Sequence, residues 1–200
     1  MKTIFLSVAY VLMFSLAWAQ QPLTEEERTK ALDHLKKTRA DYLKTIKGLS
    51  DEQINFKLEG KWSIAECAEH ISATEHSLFS LVEMALKKDP DPSLRSEIKF
   101  SDDEIIAFME DRERKVQTRA ELEPSDRYEG FANTVDDFKT KRKFIMDYIK
   151  STEDDLRNRY FDFPFGKVDA YQIVLFLSAH VTRHNAQIRE VMDAPGYPGS

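Results

Sequence analysis

The feature that most constrains this chain is a four-residue pattern, a hydroxyl residue followed three positions later by Glu, set in front of apolar residues spaced three and four apart. Thr24-Glu25-Glu26-Glu27 and Ser63-Ile64-Ala65-Glu66 both have this form. In such a capping box the hydroxyl accepts an amide proton of the first turn and the Glu carboxylate accepts the amide of the capping residue, which satisfies donors that a helix start leaves orphaned. Behind the first box, Leu32, Leu35, Arg39, Tyr42, Ile46 and Leu49 form one amphipathic stripe, with Gly48 as a stop. Behind the second, Cys67, Ile71, Leu78, Leu81 and Ala85 form another, which Asp89-Pro90-Asp91-Pro92 breaks. Ser101-Asp102-Asp103-Glu104 starts a third, highly charged helix with Ile105, Ile106, Phe108 and Met109. A further helix beginning near Asn133 or Thr134 carries Phe138, Ile145, Tyr148 and Ile149. The last follows the turn Pro164-Phe165-Gly166, takes Asp169 as its cap and runs to about Asp193.

No alternating strand pattern and no internal repeat is evident, so the fold class expected is all-α. The first two helices are joined by about a dozen residues, whereas roughly 45, including the charged helix, separate the second from the Phe138 helix. The expectation is one domain, a four-helix bundle with a long crossover between bundle helices two and three that carries the extra charged helix.

The amino terminus has a different character. Lys2 precedes an apolar run from Ile4 to Leu16, followed by Ala17-Trp18-Ala19 and then Gln20-Gln21-Pro22. A positive end, an apolar stretch shorter than the ~20 residues of a membrane span, and small residues at −3 and −1 define a secretory signal peptide over residues 1–19, leaving a domain of residues 20–200. A bacterial periplasmic or secreted location is expected, without membrane attachment after cleavage. Lys2 is the one charge in that segment, so 28 basic and 35 acidic side chains follow it, a net of about −7. An acidic surface with no basic stripe interleaved with aromatics argues against nucleic acid as a partner. The single Cys67 cannot make an intrachain disulfide.

The chemistry lies in residues that break the core pattern. Ile173, Leu177, His180, His184, Ile188 and Val191 follow one another at spacings of 4, 3, 4, 4 and 3, so both histidines sit in the core-facing stripe of the last helix. Imidazoles one turn apart lie about 5 to 6 Å apart at Cβ and can reach one divalent ion. His70 lies on the buried side of helix two among Cys67, Ile71 and Thr74, a third imidazole facing the same interior. His34 and His76 fall on outward faces. Three histidines leave open positions on a first-row metal, as catalytic sites do, and should bring ring nitrogens within about 3 to 4 Å of one another. Core histidines without metal are the plainer alternative.

Lys61-Trp62-Ser63-Ile64-Ala65-Glu66-Cys67-Ala68-Glu69-His70-Ile71 resembles the Trp-Ser…His opening of helix two in the DinB-like superfamily. Ala179-His180-Val181-Thr182-Arg183-His184-Asn185-Ala186-Gln187-Ile188 resembles its closing H-x-x-R-H-x-x-Q-I signature. The resemblance spans nearly the whole chain after residue 20. It implies a four-helix bundle, often a homodimer, in which His70, His180 and His184 bind a divalent metal, zinc or nickel foremost. Members of that family include transferases that use bacillithiol or mycothiol and proteins described as metal-dependent hydrolases. The signal peptide and the charged insertion around residues 93–130 depart from the pattern, and the former weighs against a cytosolic thiol cosubstrate.

Other residues have two readings each. Glu66 is a candidate general base or an acceptor for an imidazole N–H, and also the capping partner of Ser63. Cys67 is a fourth ligand or a small buried hydrophobe. Arg183 and Asn185 contact substrate or are solvated helix residues, and the charges of residues 102–127 read most simply as a solvated face. The function expected is an exported metal-dependent hydrolase that uses a metal-activated water on a small-molecule substrate. A metal-dependent thiol transferase and a non-catalytic metal- or ligand-binding module are the alternatives.

Overall fold

The computed structural model describes residues 21–115 and 117–199; the expected signal peptide lies outside them. Four long helices build the molecule: α1 (Glu25–Thr45), α3 (Ile64–Leu86), α5 (Phe131–Ser151) and α6 (Ala170–Met192), with a short α2 (Asp51–Asn55) and the insertion helix α4 (Asp102–Glu110) between them. Both expected capping boxes form, and the expected helix start at Ser101 is a third, with Thr24, Ser63 and Ser101 accepting from the amides of Glu27, Glu66 and Glu104. Each such cap contributes about 1 kcal/mol to its helix. A fourth box, Ser50 with Gln53, opens α2 and escaped the sequence reading, although Ser-x-x-Gln was there to be seen. Asp169 caps α6 by accepting from Gln172 N at 2.7 Å. The start of α5 has no side-chain cap; Gly130 occupies the capping position at φ 88°, a conformation that favours glycine.

α1 packs on α5 and α6, and α3 packs on the same two helices, so the successive long helices α1 and α3 face each other across the bundle. The connections of residues 46–63 and 152–169 therefore cross the bundle diagonally, which a simple up-down meander does not do, while the long connection of residues 87–130, which carries α4, joins the neighbouring α3 and α5. The all-α, four-helix-bundle expectation holds, with one short hairpin that the sequence reading did not anticipate. Tyr160–Phe163 (β1) and Gly166–Asp169 (β2) pair antiparallel, Tyr160 opposite Asp169 and Phe163 opposite Gly166, around the two-residue turn Pro164-Phe165. Phe161, Phe163 and Phe165 carry the period-two signal that marks such a ribbon, and its shortness hid it.

The core divides into two apolar ends. One gathers Leu35, Phe79, Ile105, Ile145, Ile149, Leu156 and Tyr171, and the other Tyr42, Ile46, Ile64, Cys67, Ile71, Phe138, Ile188 and Val191. Buried polar residues interrupt it. Arg142 and Glu75, both essentially inaccessible, form a two-point pair, Nε to Oε2 at 2.9 Å and Nη2 to Oε1, and Arg142 Nη1 donates to Leu35 O and Thr38 Oγ1. Among the described residues no helix is long and apolar enough to cross a membrane.

Candidate metal centre

The stripe on α6 is buried as its spacing requires: Ile173, Leu177, His180, His184, Ile188 and Val191 all face inward. His180 and His184 stand one turn apart with ring centroids 4.4 Å from each other. His70 meets them from α3, its ring 5.0 Å from His180 and 4.4 Å from His184. Nε2 of His70 lies 3.1 Å from Nε2 of His180, and one ligand atom from each of the three rings falls within 4.8 Å of the others. The expected spacing of about 3 to 4 Å is met by the His70–His180 pair, while the triplet as a whole is wider, within 4.8 Å.

Two of the rings have their outer nitrogen fixed. His70 Nδ1–H donates to the carbonyl of Leu122 at 2.9 Å, and His184 Nδ1–H donates to Gln187 Oε1 at 3.1 Å. A carbonyl can only accept, so these bonds place the proton on Nδ1 and leave the Nε2 lone pairs directed inward. Burial lowers all three histidines below the ordinary imidazole range, His180 and His184 strongly, and their mutual proximity adds to this for the last two, so the rings are neutral at pH 7. Trp62 covers the cluster, 4.9 Å from His70 and stacked 6.2 Å from His184. Neutral, oriented, convergent imidazoles fit a divalent cation, and the donor set suits zinc, nickel and other first-row ions alike.

The insertion builds part of this site, which corrects the reading of residues 102–127 as only a solvated face. Its carbonyl at Leu122 orients His70. The neighbouring carboxylate, Glu69, clasps the following loop by accepting from Ser125 N at 2.8 Å, Asp126 N at 3.1 Å and Arg127 Nε at 2.8 Å. Asp126 sits at φ 56°, a left-handed conformation this clasp holds in place. Arg183 is buried rather than solvated, and its guanidinium donates to the carbonyls of Met109, Asp111 and Arg114. The histidines open into a cavity of about 750 Å³ between α3, α6, the insertion and the hairpin. Phe108, Phe163, Phe165 and Phe176 line one side of it, with Phe163 and Phe165 stacked at 5.0 Å. The apolar positions inside an otherwise charged segment, Phe108 and Met109, were the signal that this stretch faces inward.

The remaining candidates go elsewhere. Glu66 is not brought to the cluster: its carboxylate accepts from Ser63 N at 2.7 Å and pairs with Lys57 at 2.7 Å, which together hold it below the ordinary carboxylate range against the opposing effect of burial. Cys67 is buried among Ile64, Ile71 and Tyr42, and burial raises its thiol to about 12. Asn185 is buried too. His34 is not a free surface residue, since Nδ1 meets Ser178 Oγ at 2.7 Å and burial lowers it to about 4, whereas His76 is exposed and paired with Asp137 at 2.9 Å. The one carboxylate lining the cavity among the described residues is Glu190, which sequence reasoning did not single out.

The chain belongs to the DinB superfamily, whose sequence profile matches residues 34–188. It is similar in fold to YfiT from Bacillus subtilis, described as "a probable metal-dependent hydrolase with an unusual four-helix bundle topology", at 13% identity over 86% of this chain and 90% of that one, with a TM-score of 0.57. No curated protein sequence matches.

Proposed function

We propose that this protein is an exported metal-dependent hydrolase of the DinB superfamily, with one divalent cation, zinc or nickel, held by His70, His180 and His184. The observation that carries the reading is the convergence of three buried, neutral imidazoles, with the outer nitrogens of His70 and His184 tied to Leu122 O and Gln187 Oε1, at the wall of a cavity large enough for a small-molecule substrate. A cation on three imidazoles supplies Lewis acidity and lowers the pKa of a bound water. The chain's own residues orient the ligands, seal their outer side with Trp62 and accept the apolar part of a substrate on the phenylalanine wall. Glu190, held by Arg112 at 3.1 Å, is the carboxylate that lines the cavity. The description of YfiT as a probable metal-dependent hydrolase supports the same reading.

Incubating zinc- and nickel-loaded protein with a panel of aryl and alkyl esters tests this. Hydrolysis that disappears in His184→Ala is expected; metal bound at full stoichiometry without turnover of any ester or amide would replace the reading by a non-catalytic binding module. Export is tested separately: the protein recovered outside the cytoplasm should begin at Gln20, and an intact mass that retains residues 1–19 there would reject it.

A further inference from the structure

The cavity beside the histidines carries charge of one sign. Lys61, Arg112, Arg114, Lys115, Arg119 and Arg183 stand around it against the single carboxylate of Glu190, in a chain whose formal net charge is −6. Several of these cations are already occupied. Arg112 and Lys61 share Glu190 at 3.1 and 3.7 Å, Arg119 faces Glu121 at 3.8 Å, and Arg183 is turned onto backbone carbonyls. Arg114 and Lys115 are different: among the described residues no carboxylate pairs with either. The Arg114 guanidinium lies over the face of Phe108, 4.2 Å from its centroid, at the edge of the aromatic wall.

That wall is continuous. Phe108 packs on Phe165 at 4.7 Å, Phe165 on Phe163 at 5.0 Å, and Phe163 on Phe176 at 5.5 Å. One turn beyond His70 on α3, the hydroxyl of Thr74 is buried, lines the same cavity and has no hydrogen-bond partner among the described residues. Buried hydroxyls are normally paired, so an orphan at a cavity wall marks a position for a ligand's polar atom. The cavity thus offers an apolar stretch, a hydroxyl near the imidazoles and unpaired positive charge at the insertion.

We propose that the substrate is an amphipathic carboxylate: an ester or amide whose acyl or aryl body lies on the phenylalanine wall, whose free carboxylate meets Arg114 and Lys115, and whose scissile group lies by the histidines within reach of Thr74. Its hydrolysis adds water across the acyl C–O or C–N bond, giving an acid and an alcohol or amine with no other co-reactant. This assignment rests on the hydrolase reading of the site.

Calorimetric titration of the full chain, zinc-loaded and zinc-stripped, with decanedioic acid monoamide and with uncharged decanediamide tests it. The monoamide should bind about tenfold more tightly than the diamide. The preference should survive zinc removal and fall below about twofold in Arg114→Glu/Lys115→Glu, whose zinc content stays at the wild-type level. Thr74→Val should weaken both probes alike without lowering the melting temperature of the free protein. Equal binding of the two probes, a preference lost with zinc, or one retained in the double variant would overturn the proposal, the second outcome because the carboxylate would then sit on the metal. A preference with these properties in a protein that hydrolyses no ester would leave the binding assignment standing and remove the hydrolase reading instead.

Discussion

Two polar regions interrupt the same bundle core, and they are built on opposite principles. At Arg142 and Glu75 each charged group meets a partner: the guanidinium uses the carboxylate, the Leu35 carbonyl and Thr38 Oγ1, and Thr38 continues to Ser178 Oγ at 2.9 Å. At the histidine cluster the outer nitrogens of His70 and His184 are satisfied while ligand atoms of all three rings, His180 included, converge on one another. The first region is closed on all sides, whereas the second opens into a cavity. Buried polar groups that satisfy each other hold a fold together, and buried polar groups that converge without satisfying each other wait for something else.

Breaking the closed region should have the largest effect on stability. Arg142→Ala leaves the Glu75 carboxylate buried without its partner, and urea denaturation should show a loss of about 3–5 kcal/mol with metal stoichiometry unchanged. A loss under about 1 kcal/mol would contradict the claim that this pair is structural. The open region should respond differently to changes around it. Gln187→Leu removes the acceptor that fixes His184, and competition with a chelating dye should find metal affinity lowered about 10–100-fold while the fold is hardly affected. An unchanged affinity would mean that Gln187 does not orient the ring.

Acid should sharpen the same contrast. His34, joined through Ser178 to the closed region, is lowered by burial to about 4, and the three converging histidines are lowered as well. Between about pH 6.5 and 4 these four histidines bind more protons in the unfolded chain than in the native one, so the stability they contribute to the metal-free protein is fully present above 6.5 and declines as pH falls through that window. His34→Gln should flatten part of the decline measured by urea midpoints at pH 7.5, 6 and 5; an identical slope would show that His34 titrates as it does in the unfolded chain. The smallest effect belongs to Glu66. Because its carboxylate serves a capping box, Glu66→Ala should cost about 1 kcal/mol and leave metal binding intact.

What was legible in the sequence and what was not divides along the range of the interactions. Thr24, Ser63 and Ser101 announce their helices within four residues, and the α6 stripe places His180 and His184 because a single helix fixes their relation. His70 could be added because its own stripe also faces inward. The insertion could not be read this way: Leu122 lies far in sequence from His70, and Arg183 from Asp111, and no local period couples them. Arg183 looks solvated among Thr182 and His184, yet its length lets it reach the loop after α4. His34 was assigned to an outward face for a related reason, since the residues that bury it, Ser178 and Glu110, belong to α6 and α4. The hairpin was missed because four-residue strands contain too few alternations to stand out between helices.

The three converging imidazoles are proposed as a metal centre added to a core that folds without it. Metal content and melting temperature measured on the same samples of wild type and His180→Ala test it most directly. The expected result is one divalent ion per wild-type chain, metal reduced to background in the variant, and an unchanged helical circular dichroism spectrum, with the melting temperature of metal-free wild type modestly below that of the loaded protein. Metal stoichiometry that is the same in both proteins, together with a destabilised variant that has lost about 1–3 kcal/mol, would make the histidines ordinary core residues and contradict the account.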